Sequence, residues 1–366
     1  LEDQAHFLDW LLRLMEEEQV EALVIAGDVY HRSVPPADAI ALYDQFLNRA
    51  ILKLGIPVLT VAGNHDSGAR LEFAGELLGA VGYHVAGKPR QELARVTLND
   101  RHGPVVFWLL PHLFPADVRA LLPKSDARTF QSAYEVLLGE NLPLMDKGVR
   151  NVMVAHGLFA GQEPVILSES EWSVGGMDAV SAAIFQGFDY TALGHLHAPQ
   201  KVGEKVRYSG SPLKYSLSEE HQRKSVSLVE LGAPGSPVQI REIPVPALHD
   251  VRRIAGRFDD LMNPIWHENK NFEDYVFAEI SEEGVLYAME KLRTLFPRLL
   301  GVSLPFREME GEAVQIGAVR ERMTMEQHFA RFYQETAGEE LPEEHRAVLR
   351  ELIEALEEEK REVYQS

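Results

Sequence analysis

Four clusters of potential metal-ligating residues stand at the ends of short apolar runs in this chain: Gly27-Asp28, Gly63-Asn64-His65-Asp66, His156-Gly157 and Gly194-His195-Leu196-His197. The runs before them, Ala22 to Ala26, Pro57 to Ala62, Asn151 to Ala155 and Asp189 to Leu193, read as strands. In an open parallel sheet the loops at the carboxyl ends of the strands converge on one crevice, so residues distant in sequence can meet there. One Asp, one Asn and three His offer hard oxygen and borderline nitrogen donors with no thiolate, a set suited to Mn²⁺, Fe or Zn²⁺. Each piece alone has a plainer explanation. Gly-Asp, Asn64 and Asp66 suit turns, and a solitary His156 suits a structural hydrogen bond. Their common position after four separate strands favours a metal site.

The elements that must position these residues are legible. Residues 1–246 alternate strand-like runs with helical patterns such as Ala37 to Leu52, Ala69 to Leu78 and Thr129 to Leu138, as a layered α/β sandwich should. Val105 to Leu110 adds a strand, and Ser225 to Leu231 with Val238 to Ile243 predicts a closing hairpin. Pro244-Val245-Pro246 marks a boundary. In 247–306, Tyr275 to Ile280 reads as a strand, and Glu282 to Phe296 as a helix with Leu286, Met289 and Leu292 inward. Leu299 to Leu304 then completes a small β-α-β lobe. Residues 307–366 read as two helices. Thr324-Met325-Glu326-Gln327 resembles a capping box, and Gly338 is a stop signal. Pro342 opens a second helix with an apolar stripe of Leu349, Leu352, Ile353 and Leu356.

Taken together, these motifs resemble the calcineurin-type metallophosphoesterases, and within them the SbcD-type nuclease branch, bacterial relatives of the Mre-type repair nucleases. Gly27-Asp28-Val29-Tyr30-His31 carries a histidine three residues after the Asp, as that branch does, and Phe188 to His197 and Tyr208-Ser209-Gly210-Ser211-Pro212 are similar to it. The resemblance implies two divalent metal ions, Mn²⁺ foremost, with Asp28 as the bridging carboxylate. Asn64, His156 and His195 would complete one site and His197 would serve the other. It implies that His65 contacts the substrate, steadying phosphoryl oxygens or protonating the leaving alkoxide. Asp66 would orient that imidazole, and His31 would touch phosphate. The lobe 247–306 would cap the metals and help position DNA, while 307–366 would dock on a coiled-coil ATPase of the SbcC type. A homodimer is also implied, with no surface assigned. His6, His84, His102, His112, His221 and His249 receive no role.

One element of the family pattern, an Asp-x-His ahead of Gly27-Asp28, has no counterpart, and the chain opens on Leu1. Leu1 to Val20 is patterned as an amphipathic helix, with Phe7, Leu8, Leu11, Leu12 and Met15 on one face. A helix feeding a buried strand is half of a crossover unit, so the expectation is that an earlier strand is missing and one metal position is poor in ligands.

Composition narrows the function classes. With 366 residues, 45% of them hydrophobic, the chain can bury a substantial core over two or three domains. It has no cysteine, which excludes disulfide scaffolds, thiolate zinc sites and cysteine nucleophiles and suits the cytoplasm. No apolar run approaches the ~20 residues that cross a bilayer. The net charge of −20 opposes autonomous binding to a phosphate backbone. Sixteen acidic against eight basic residues from Arg307 onward supply much of it. The reading is therefore a DNA nuclease subunit cutting duplex ends, hairpins or single strands beside an ATPase. The alternatives are a phosphoesterase acting on a small phosphodiester or phosphoprotein, and a non-catalytic scaffold.

Overall fold

The computed structural model describes residues 1–161, 164–168, 179–267, 271–282, 284–304, 329–330, 333, 341–343 and 345–349. The chain divides into two compact units, Leu1–Pro305 and Phe306–Ser366. The first unit begins with helix α1 (Glu2–Glu17), whose Leu11, Leu12 and Met15 are buried against Phe46, Ala50 and Ile56. Strand β1 (Leu23–Ala26), helix α2 (Ala37–Leu47), strand β2 (Val58–Val61), helices α3 (Gly68–Leu71) and α4 (Gly75–Gly79) and strand β3 (Tyr83–Ala86) follow. The three strands form a parallel sheet in the order β1-β2-β3. α2 runs on into a wider π-helical turn, Asn48–Lys53, so the expected Ala37 to Leu52 helix is present in two geometries. The expected Ala69 to Leu78 helix is instead split, because Ala74 takes a left-handed φ of 56° between α3 and α4.

A second sheet is built from β4 (Ala94–Asp100), β5 (Gly103–Leu110), β6 (Arg150–His156), β9 (Tyr190–Gly194), β10 (Gln200–Lys201) and β11 (Val206–Tyr208). Helices α5 (Pro115–Leu121) and α6 (Phe130–Asn141) precede β6, and the short pair β7 (Phe159–Ala160) and β8 (Val180–Ser181) lies between β6 and β9. The order is β10-β11-β9-β6-β5-β4, parallel in its centre with antiparallel edges. β6 is buried along its whole length, as a central strand covered on both faces must be. Thr129 caps α6 by accepting the Ser132 N–H at 3.1 Å.

Alternation along the strands makes the layers. Leu59 and Val61 of β2 face Phe107, Leu109, Val152 and Val154 of the second sheet, while Val58 faces the α1 and α2 side. On the outer face of the second sheet, Trp108 and Met153 pack with Tyr134, Leu137 and Leu138 of α6 and with Phe159 of β7. The result is helix, sheet, sheet and helix, the layered α/β sandwich expected. A hairpin of β12 (Ser225–Glu230) and β13 (Gln239–Pro244) closes it, with Val229 and Ile240 against the inter-sheet core. Arg150 secures this end. Its guanidinium donates to both Asp100 oxygens at 2.6 and 2.7 Å and to the carbonyls of Gly103, Leu231 and Gly232.

Beyond the hairpin, β14 (Val251–Gly256), α7 (Phe258–Leu261), β15 (Tyr275–Ile280), α8 (Ala288–Arg293) and β16 (Leu299–Ser303) form a parallel three-stranded lobe around Ile254, Val276, Ala278, Leu292 and Phe296. The expected β-α-β unit therefore gains a strand, β14. Its helix is shorter than Glu282 to Phe296, because Tyr287 adopts a left-handed φ of 58° and α8 begins only after it. Leu286, expected inward, is consequently 71% exposed. In the second unit residues 345–349 are helical after Pro342, and the His345 N–H donates to the Pro342 carbonyl at 3.0 Å. Thr324 to Gln327, Gly338, Leu352, Ile353 and Leu356 lie outside the described residues.

Candidate metal centre

β1, β2, β6 and β9 all deliver their carboxyl ends to one place. Ala26, the last residue of β1, offers its carbonyl to His156 Nδ1 at 2.7 Å. A Cβ on Gly194, at the end of β9, would lie 1.7 Å from that same oxygen, so only glycine lets β9 abut β1. Gly27 is equally constrained. Its φ is +90°, and a Cβ there would strike His156 Nδ1 at 2.2 Å. Two ligand-type residues share this strained backbone, Asp28 with φ 51° and His195 with φ 113°.

Each sheet supplies half of the cluster. Ligand atoms of Asp28, His156 and His195 lie within 4.8 Å of one another. Asn64 Oδ1 is 3.0 Å from His156 Nε2 and 3.1 Å from His195 Nδ1. His156 Nε2 is also 3.2 Å from Asp28 Oδ2. Because Nδ1 of His156 donates to the Ala26 carbonyl, its Nε2 turns toward two oxygen acceptors. Only a proton or a cation stabilises such a gathering of lone pairs, so the donor set fits a divalent metal ion.

The two ligand loops also hold one another. Asp28 Oδ1 accepts the His65 N–H at 3.0 Å. In return the Asp66 carboxylate accepts the N–H groups of Gly63 at 2.9 Å, Tyr30 at 3.0 Å and Val29 at 3.2 Å. Asp66 is thus engaged by backbone amides of both loops. His31 and His65 are exposed on these same loops.

Residues 2–199, more than half of the chain, match the family model of the calcineurin-like phosphoesterases. The chain belongs to the calcineurin-like phosphoesterase family. Residues 247–337 match a second model, SbcD_C, described as the type 5 capsule protein repressor C-terminal domain. The two matches in this order are those of an SbcD-type nuclease subunit. As a calcineurin-like phosphoesterase it is a metal-dependent phosphodiesterase.

The electrostatics of the phosphoesterase site favour a cation. Burial raises the Asp28 carboxyl, but hydrogen bonding and charge from His156, with the His65 amide, outweigh it and hold it at about 2. Burial, reinforced by charge on His156, pushes His195 down to about 3. Asp66 moves the other way, raised by burial despite the amides of Gly63 and Tyr30. At neutral pH the centre therefore presents a carboxylate and a neutral imidazole.

His197 falls outside this trio. Its Nδ1 faces the buried Glu219 at 2.8 Å. Two further residues that touch candidate ligands escaped the sequence reading. Glu219 gives no local signal, standing in an ordinary polar stretch. His112 had one. It follows β5, a parallel strand of the same sheet, and so obeys the strand-end rule that found the others. Its ring meets His156 edge to face at 6.0 Å, and its Nδ1 is buried with no hydrogen-bond partner among the described residues. Burial, then charge on His156, lowers it to about 4.

Proposed function

We propose that this phosphoesterase is the nuclease subunit of a DNA-repair complex, hydrolysing DNA phosphodiester bonds with two divalent metal ions, Mn²⁺ foremost. It acts as an exonuclease on duplex ends and an endonuclease on hairpins or single strands. The observation that carries this reading is the convergence of Asp28, Asn64, His156 and His195 from two sheets upon one point. These four residues would hold one ion, and Asp28 with His197 would serve a second. Bound there, divalent ions supply Lewis acidity that activates water and offsets charge on the phosphoryl oxygens.

The remaining work belongs to the chain's own side chains. His65 lies beside a ligand and exposes its imidazole, where it steadies phosphoryl oxygens or returns a proton to the leaving alkoxide. His31 contacts phosphate from the facing loop. Asp66 holds both loops in register through their amides. His156 keeps its proton on Nδ1 against Ala26, so Nε2 stays available.

The domains read as 1–246 for the nuclease, 247–306 for the cap and 307–366 for docking on an SbcC-type coiled-coil ATPase. The net charge of −20 supports dependence on such a partner for DNA affinity. Phe73, Leu77 and Val81, each more than half exposed around α4, support a homodimer through this face. No helix among the described residues is long and apolar enough to cross a membrane; the cytoplasm is the proposed compartment.

Cleavage of end-labelled duplex and hairpin DNA by the full-length protein with Mn²⁺, beside His65→Ala and with and without the ATPase, tests the reading. Metal-dependent cleavage lost in His65→Ala supports it. Intact DNA under every condition, with hydrolysis of a small phosphodiester, transfers the assignment to a small-substrate phosphoesterase.

A further inference from the structure

His197 is two residues from His195, yet its ring and its backbone are gripped by a separate buried ion pair. Nδ1 lies 2.8 Å from Glu219 Oε1, and Glu219 is wholly buried. The second Glu219 oxygen accepts Lys224 Nζ at 2.6 Å and the Tyr215 N–H at 3.3 Å. Lys224, also buried, donates to the His197 carbonyl at 2.9 Å, to Ser211 Oγ at 2.8 Å and to Gln222 Oε1 at 2.6 Å.

A buried ion pair is an expensive way to secure a fold, since apolar residues of similar volume usually serve as well or better. Here the pair meets one histidine twice, Glu219 at its ring and Lys224 at its carbonyl. The segment that carries it is itself fixed to the β14 lobe. Lys214 Nζ meets Asp250 Oδ1 at 2.7 Å, and the Glu220 carboxylate takes the Arg253 N–H at 3.1 Å and its Nε at 3.2 Å. Glu219 therefore sits on a braced support with little freedom to follow a wandering ring.

We propose that Glu219 is the positioning residue for His197: it accepts the Nδ1–H, fixing that tautomer and the orientation in which the ring would meet a divalent ion. Lys224 balances the buried carboxylate and ties it to the His197 backbone. The inference rests on the reading of His197 as a ligand. A carboxylate behind a histidine ligand orients the ring and raises its basicity, and its loss weakens metal binding about 10- to 100-fold.

Nitrogen-15 spectroscopy of the histidines in the full-length, metal-free protein at pH 8 reads the tautomer directly, with His197→Ala supplying the assignment. The expected result is Nδ1–H for His197, a mixed population in Glu219→Gln, and Mn²⁺ affinity by calorimetry about 10- to 100-fold weaker in Glu219→Gln with partial recovery in Glu219→Asp. An unchanged Mn²⁺ affinity in His197→Ala sinks the ligand reading itself. Weakened binding in His197→Ala with full affinity in Glu219→Gln overturns the positioning role alone. So does an Nε2–H tautomer in the wild-type protein, a result that needs no variant to fold.

Discussion

His31 and His65 lie face to face, their ring centroids 5.4 Å apart and their planes 21° from parallel. They come from the two loops that Asp28 and Asp66 lock together, so the stack follows from those carboxylates. In the proposed roles, two exposed imidazoles held as a pair would offer adjacent donors to one phosphoryl group. His65→Ala is expected to lower kcat by about 10²- to 10⁴-fold, the usual weight of a positioned acid or base. His31→Ala should cost less. Steady-state hydrolysis of a chromogenic phosphodiester beside Mn²⁺ calorimetry checks this, since a parallel loss of metal from His65→Ala would make that residue a ligand instead.

Asp66→Ala removes the acceptor for three amides in two loops. Unmade buried hydrogen bonds cost about 1 to 3 kcal/mol each when the group finds no water. The expected outcome is a less stable protein, by roughly 1 to 3 kcal/mol because these loops are partly solvated, together with weaker Mn²⁺ binding. Urea denaturation and calorimetry on the same preparation separate the two effects.

Stability of the metal-free protein should fall as the solution is acidified from neutrality. His195 and His112 are held down to about 3 and about 4 in the folded state, below an unfolded value of about 6.5. The unfolded chain therefore binds more protons in between, and the stability of the neutral rings, complete above about pH 6.5, is lost as pH falls toward those values. Asp28, depressed to about 2, adds its share only below about pH 4. Thermal melts from pH 8 to pH 4 should decline steadily, and His112→Phe should flatten the slope. An unchanged slope would mean that His112 takes up its proton as readily folded as unfolded.

Arg150→Met is expected to destabilise by about 3 to 5 kcal/mol, because it strands Asp100 and three carbonyls at the seam of the hairpin and the second sheet. Asp100, held at about 2 chiefly by its Arg150 hydrogen bonds, would then titrate nearer its ordinary value. Chemical denaturation and carboxyl-resolved spectroscopy measure the two consequences independently.

The site was legible wherever one residue stood just past a strand, because strand patterning is local and the carboxyl ends of parallel strands must converge. Asp28, Asn64, His156 and His195 all obeyed that rule. His112 also follows a strand, yet it received no role. Glu219 could not be found this way, since its partner His197 is 22 residues distant and the link is purely tertiary. In the fold, β15 fell on its expected bounds, whereas the helix before β16 was overextended. The left-handed residues themselves, Ala74 and Tyr287, are not ones whose type favours that conformation, although Gly75 and Gly284 stand close to each break.

The meeting of both sheets at the Ala26 carbonyl has a consequence for the whole molecule. Asp28 and Asn64 follow strands of the three-stranded sheet, while His156 ends and His195 follows strands of the six-stranded one, so an ion held by all four would cross-link the halves of the sandwich. Binding that requires both halves in place stabilises the folded chain by mass action, by about 2.7 kcal/mol at a free ion concentration a hundred times Kd. Chelation should therefore lower Tm as well as abolish hydrolysis, and Gly194→Ala, which forces the sheets apart, should narrow that difference. An ion held there would be a structural member of the sandwich, and metal supply would then set how long the protein persists as well as how fast it works.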